Sequence, residues 1–278
     1  MLRDPDRFAY PSRPMRSTEL FSLSGKRALV TGGGRGIGRH IAIGLAEAGA
    51  ELFVASRKRA SCEAVAVEIA RAGGRATALE ADVSKPEDCE RLVAEVLGAC
   101  DRLHVLVNNA ARVWAAPTLE YPLEGWDRVF ELNVRGLFLL SQLAARHMRE
   151  RGGGSIVNVG SISAFRAAPD EEQAVVAYNA SKGAVEALTV DLAVKLAPHG
   201  IRVNCLVPGP FDTDMMNHIR HDPVRMRRYL EHVPLGRIGG EDDVKGAAVF
   251  LASEASRFVT GQTLVVDGGV SAVYPSRG

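Results

Sequence analysis

Apolar positions alternate between two patterns along this chain. Short continuous runs, such as Ala28 to Val30 and Leu103 to Val107, have the length and composition of strands buried on both faces. Between them apolar residues recur at helical spacing, as at Ile37, Ile41 and Leu45, with Ala42 and Ala46 on the same side. The pattern predicts strands over 28–30, 51–56, 75–80, 103–107, 153–160, 201–207 and 261–266. It predicts helices from Gly36, up to about Arg71 where Gly73 and Gly74 stop it, after Pro86, from Leu123 to Glu150, around Tyr178, and over Val244, Ala248 and Leu251. Ser84 and Glu87 are spaced as a capping box for the helix that Pro86 opens. Strand alternating with helix implies an α/β fold, a doubly wound parallel sheet with helices on both faces.

The chain has 278 residues, enough for one such domain with a full core. Met1 to Leu20 carries Pro5, Pro11, Pro14 and scattered arginines without periodicity. It is expected to be a mobile or loosely docked extension, leaving 21–278 as the domain. Arg3, Arg7, Arg13 and Arg16 would suit a transit peptide, but Asp4, Asp6 and the missing amphipathic stripe argue against one. A formal net charge of +1 excludes a polyanion-binding surface as an organising feature. No run approaches the roughly 18 apolar residues of a membrane span. Cys62, Cys89, Cys100 and Cys205 form no C-x-x-C pair, so they read as reduced thiols in a cytoplasmic protein. His218, His221 and His232 lack companion ligands at metal spacing and read as solvated, so no metal is expected.

Chemistry concentrates where strands end. Thr31 to Gly38 holds five glycines between the first strand and a helix start. Such a turn lets backbone approach a pyrophosphate, and the helix N-terminus offers unpaired N–H groups to it. The spacing is T-G-x-x-x-G-x-G on Thr31, Gly32, Gly36 and Gly38; position 39 is Arg, so G-x-G-x-x-G does not fit. The second strand ends in Ser56 and Arg57, where dinucleotide folds that take NAD place a carboxylate for the ribose. Arg57, with Arg35 in the glycine turn, would instead pair with a 2′-phosphate. Tyr178 and Lys182 form Y-x-x-x-K, one helical turn apart on one face. A free Tyr titrates near 10, and a neighbouring ammonium would bring its proton into use near neutrality.

In this order, the T-G-x-x-x-G-x-G turn, Asn108-Asn109-Ala110-Ala111, Asn133 in Leu-Asn-Val, Ser161, Tyr178 with Lys182, and Pro208-Gly209 with Thr213 resemble the short-chain dehydrogenase/reductase family over about Leu23 to Gly269. The resemblance implies a single-domain Rossmann fold and reversible hydride transfer between NADP(H), preferred over NAD(H), and a carbonyl or secondary alcohol. It implies catalytic roles for Asn133, Ser161, Tyr178 and Lys182, with Ser163 the alternative hydroxyl and Asn133 holding a relay water. It implies cofactor contacts at Gly32, Gly34, Arg35, Gly36, Ile37, Gly38, Ser56, Arg57, Asp82, Val83, Asn109, Ala110, Ala111, Tyr178, Lys182, Pro208, Gly209, Phe211 and Thr213. Asp82 also reads as simple turn chemistry. The partners implied are a small carbonyl or alcohol substrate and further copies of the chain, as a tetramer or dimer, with no nucleic acid and no membrane.

Within the family, Trp114, the stretch from Tyr121 to Trp126 and the turn from Pro208 to Phe211 are similar to 3-oxoacyl-thioester reductases and to gluconate and polyol dehydrogenases. The thioester reductase is the first reading, the gluconate or polyol dehydrogenase the alternative. A non-catalytic NADP-binding regulator and a nucleotide-sugar epimerase or dehydratase stand further back. Two departures from the family pattern matter. Ala111 replaces the usual Gly. The interval from Ser161 to Tyr178 is longer by a few residues, which places an acidic insertion at about 165–176, facing solvent or a polar substrate. The stretch of about 211–235 is expected to form a substrate lid.

Overall fold

The computed structural model describes residues 14–213, 216 and 222–273. Seven parallel strands form one sheet: β1 (Arg27–Thr31), β2 (Glu51–Ser56), β3 (Arg75–Glu80), β4 (Val105–Asn108), β5 (Gly154–Val159), β6 (Ile201–Pro208) and β7 (Thr263–Val266). Their spatial order is β3-β2-β1-β4-β5-β6-β7, so the winding reverses between β1 and β4. Ligands of such sheets bind outside the carboxyl ends of the strands at that reversal.

The helices are α1 (Ser17–Leu20), α2 (Gly36–Glu47), α3 (Arg59–Arg71), α4 (Pro86–Ala99), α5 (Leu123–Phe130), α6 (Leu137–Glu150), α7 (Asp170–Gln173), α8 (Val176–Leu196), α9 (Pro223–Leu230) and α10 (Glu241–Ala252). Strand side chains alternate between two cores. Ala28 and Val30 pack with α2, α3 and α10 through Ile41, Ile69 and Val244. Leu29 packs on the opposite face with α4 and α6 through Leu92, Leu140 and Met148. The doubly wound sheet expected from the pattern is the one found.

Three local expectations are corrected. Ser84 and Glu87 form no capping box. Lys85 is the cap residue of α4, without a side-chain bond, and the Ser84 hydroxyl donates instead to Asp82 Oδ1 at 2.7 Å. Asp82 wins because its carboxylate also accepts from Ser84 N, while Asp88 reaches back to accept from Asp82 N at 2.7 Å. The fourth strand runs from Val105 to Asn108 rather than from Leu103 to Val107, and His104 Nδ1 just before it accepts from Arg27 N at 3.1 Å. The helix from Leu123 to Glu150 is not uniform: Glu131–Gly136 is a π-helical stretch between α5 and α6. At the amino end, Ser17–Leu20 forms one helical turn and Phe21 lies 6.4 Å, ring to ring, from Phe250.

Candidate active site

The glycine turn sits at the reversal point. Thr31, the last residue of β1, ties it to β4: its Oγ1 accepts from Asn109 N and Ala110 N and donates to Val107 O at 3.3 Å. The Asn109 side chain donates to the carbonyls of Thr31 and Gly32, at 2.9 and 3.1 Å. Asn109 therefore holds the turn in shape, and Ala110 and Ala111 follow it at the sheet edge. Gly36 has φ of 52°, a left-handed conformation that L side chains rarely adopt, and the Thr213 methyl would stand 3.3 Å from a Cβ there. At Gly38 a Cβ would collide with the Asn109 amide and the Gly32 carbonyl. Backbone thus lies bare over a cradle roofed by Thr213, with Ile37 half-buried on α2 and Arg35 extended at its cap. A pyrophosphate fits such a cradle.

Gly34 abuts Ser61 at the start of α3, beside the end of β2. Ser56 Oγ there is 3.0 Å from Cys62 Sγ, and Arg57 is exposed with no acidic partner among the described residues. Asp82 and the buried Val83 follow β3 on the same edge, and the Val83 carbonyl packs tightly on Gly136 of the π stretch. Across the cleft, Gly209 N donates to Val266 O, and a Cβ on Gly209 would lie 2.7 Å from Asp267 Cα. Asp267 in turn accepts from Gly269 N at 2.8 Å and Ser271 N at 2.6 Å, so the Asp267-Gly268-Gly269 segment buttresses the Pro208-Gly209 turn. Phe211 is only 3% exposed and packs on Gly239; its side chain belongs to the core, leaving only its backbone for a ligand.

Ser161, Tyr178 and Lys182 come together at the end of β5. The Ser161 hydroxyl acts electrostatically on the Tyr178 hydroxyl, and its Oγ accepts from Ser163 N at 3.2 Å. Lys182 Nζ donates to Val159 O at 2.7 Å and lies 5.6 Å from the Tyr178 ring centre. Both side chains are buried, and burial decides their charges. It pushes the Lys182 ammonium down to about 8. It also raises the Tyr178 phenol above its usual value, with the Ser161 hydroxyl pulling the other way. The lowering expected of Tyr178 from its ammonium neighbour is thus outweighed in the protein alone, because desolvation disfavours the phenolate more than the Ser161 hydroxyl favours it.

Asn133 lies in the π stretch and is fully buried, but its side chain is already engaged. Oδ1 accepts from Arg112 N at 2.8 Å, and Nδ2 donates to Arg112 O at 3.0 Å and Ser181 Oγ at 2.9 Å. It clamps the loop after β4 to α8. A π stretch at such a point is in keeping with where these irregularities occur.

Sequence reasoning missed one buried set. Asn108 Nδ2 donates to Ser141 Oγ and to Asn158 Oδ1, both at 2.9 Å, and Asn158 Nδ2 donates to Thr189 Oγ1 at 3.0 Å. The available signal was one Asn at the end of an apolar strand and another inside the next. The stretch expected to be an insertion holds a short helix, α7, and is docked. Asp170 accepts from Thr118 N at 2.7 Å and Thr118 Oγ1 at 2.8 Å, and Ala116 N donates to Ala174 O at 3.0 Å. Of the expected lid, α9 and the exposed His232 are described; His218 and His221 lie outside the described residues. Among the described residues, no cluster of side chains could hold a metal ion.

A family model described as enoyl-(acyl carrier protein) reductase matches residues 32–271. The chain belongs to the short-chain dehydrogenase/reductase family. It is 41% identical over 251 residues to a 2-dehydro-3-deoxy-D-gluconate 5-dehydrogenase of Bacillus subtilis, covering 90% of this chain and 96% of that one. It is 37% identical over 254 residues to the rhamnolipid-biosynthesis 3-oxoacyl-(acyl-carrier-protein) reductase of Pseudomonas aeruginosa, covering 90% and 97%. The crystal structure of a gluconate 5-dehydrogenase from Burkholderia cenocepacia, in complex with NADP and tartrate, superposes with a TM-score of 0.86 at 36% identity, over 93% of this chain and all of that one. As a short-chain dehydrogenase/reductase, the protein is an oxidoreductase acting on CH–OH or C=O groups. Among the described residues, no helix is long and apolar enough to cross a membrane.

Proposed function

We propose that this enzyme interconverts a ketone and a secondary alcohol on a hydroxylated keto acid of the gluconate class, using NADP(H) in preference to NAD(H). The reading rests above all on the joined Ser161, Tyr178 and Lys182 side chains beside the glycine cradle. The cradle from Gly32 to Gly38, with Thr213, would hold the pyrophosphate, and Arg35 and Arg57 the 2′-phosphate. When bound, the cofactor supplies or accepts the hydride.

In the reducing direction, Tyr178 gives its phenol proton to the substrate oxygen. Ser161 donates a hydrogen bond to that oxygen as negative charge develops. The Ser163 N–H bond fixes Ser161 Oγ as an acceptor on one side, so its own hydrogen is turned toward Tyr178 and the substrate. Lys182 spends one hydrogen on Val159 O and keeps two for the ribose hydroxyls. A relay water at Asn133 would rest on its main-chain carbonyl, since both Nδ2 hydrogens are spent.

Polar groups on the substrate side favour a hydroxylated substrate. Ser163, whose N–H donates to Ser161 Oγ, and Gln173, bonded to Ser163, put polar side chains next to Ser161. Relatives named for gluconate derivatives agree with this reading. The second reading, a 3-oxoacyl-thioester reductase, is favoured by the relative from Pseudomonas aeruginosa. NADPH oxidation followed with 5-ketogluconate and with an acetoacetyl thioester tests the choice. Turnover of ketogluconate is expected, lost in Tyr178→Phe by about three orders of magnitude with NADPH binding intact. Turnover of the thioester alone would replace the first reading with the second. We further propose a cytoplasmic homo-oligomer, which sedimentation would test.

A further inference from the structure

The segment before Tyr178 reaches the hydroxyls beside the end of β5. Gln173, the last residue of α7, is half-buried and its backbone is fixed at both ends: its N donates to Pro169 O and its carbonyl accepts from Val175 N, both at 2.9 Å. Its Nε2 donates to Ser163 Oγ at 3.3 Å. Ser163 is the residue whose N–H donates to the catalytic Ser161 Oγ. A chain of contacts therefore runs from the insertion to the oxygen that receives the substrate carbonyl, in the order Gln173, Ser163, Ser161.

The two ends of this chain differ in what they have left to offer. Gln173 Oε1 takes no hydrogen bond from any described residue, and the Ser163 hydroxyl accepts but donates to none. One acceptor and one donor are thus held side by side, one residue beyond the group that binds the reacting oxygen. The platform beneath them is rigid, because Asp170 and Ala174 fasten α7 to the Ala116–Thr118 loop. A hydroxyl is the group that satisfies an adjacent acceptor and donor at once. A methylene in its place would leave both dry and unpaired, which costs affinity.

We infer that Gln173, with Ser163, is a specificity-determining pair that reads a hydroxyl on the carbon beside the reacting carbonyl. The inference rests on the substrate class proposed above and names the residues that enforce it. Substrates carrying such a hydroxyl are selected over simple ketones, and thioesters with a bare methylene there are not.

The test compares kcat/KM for 5-ketogluconate with that for 5-oxohexanoate, the same carbon chain without hydroxyls, in the full-length enzyme with NADPH. Gln173→Met keeps the shape and removes both polar atoms. It is expected to lower kcat/KM for ketogluconate by roughly 10- to 100-fold, mostly through KM, while 5-oxohexanoate and the NADPH dissociation constant move by no more than about 2-fold. Ser163→Ala, which leaves the insertion and the Ser163 N–H in place, should give the same selective loss. An unchanged preference in both variants, or an equal loss for both ketones in Ser163→Ala, overturns the role of the pair and leaves the substrate class standing. A wild-type enzyme that reduces acetoacetyl thioester and not ketogluconate overturns the class itself, and the pair's role with it.

Discussion

Lys182 is held uncomfortably. Its ordinary value is 10.5, and burial takes it to about 8. Below about pH 8 it is charged whether the chain is folded or not, and the cost of burying the ammonium is paid in full. Between about 8 and 10.5 the unfolded chain binds the proton and the folded one does not, so stability rises with pH across that window. The apoprotein should gain unfolding temperature there relative to Lys182→Met, in which the rise is absent; parallel curves for the two proteins would show that Lys182 is not desolvated. Arg57 is the opposite kind of residue, exposed and without an acidic partner among the described residues. Arg57→Asp should weaken NADPH binding by roughly 10- to 100-fold and leave NADH within about 2-fold, measured by fluorescence titration. The placement of Tyr178 beside Lys182 was legible because i and i+4 spacing fixes a shared face. The occupation of the Asn133 side chain was not, because its partner Arg112 sits in a loop 21 positions away, whose path no local pattern specifies.

At the scale of elements, strands and helices were legible wherever apolar period and glycine stops agreed, as for β2, β3 and α3. The π stretch was not. Glu131 to Gly136 has the composition of ordinary helix, and what widens it is tertiary: Gly136 closes on the Val83 carbonyl and Asn133 on Arg112. Asn133→Ala should therefore act on both stability and turnover. Leaving Arg112 N and O and Ser181 Oγ short of partners costs about 1–3 kcal/mol in denaturant unfolding. The kcat should fall while NADPH affinity holds, since the glycine cradle is fastened separately by Asn109. The misread capping box has the same origin as the π stretch. Ser84 had a nearer, stronger acceptor in Asp82, and a spacing rule does not rank acceptors.

Across the whole molecule, α2, α3 and α10 are laced by ion pairs. Arg39 bridges Glu68 and Glu241, and Lys245 joins Glu241 and Glu47. Burial alone would raise the Glu241 carboxyl, but its bonds to Lys245 and Arg39 carry it down to about 2. A depressed carboxyl stabilises above its ordinary value of 4.5, and that contribution is lost as pH falls toward 2. Glu241→Gln should accordingly be less stable than wild type at pH 7 and converge with it by about pH 2; an equal gap at both pH values would mean the network contributes nothing. Opposite this face, the buried amides of Asn108 and Asn158 meet as register partners in the middle of the sheet. If β4 slipped by one residue against β5, Asn108 would stand across from Val157 or Val159, and both amides would be sealed in apolar surroundings without each other. A misthreaded sheet is thus penalised at its centre before its edges are added. The pair serves as a checksum on assembly, so that the strand ends carrying Asn109 and Ser161 arrive level with one another every time the chain folds.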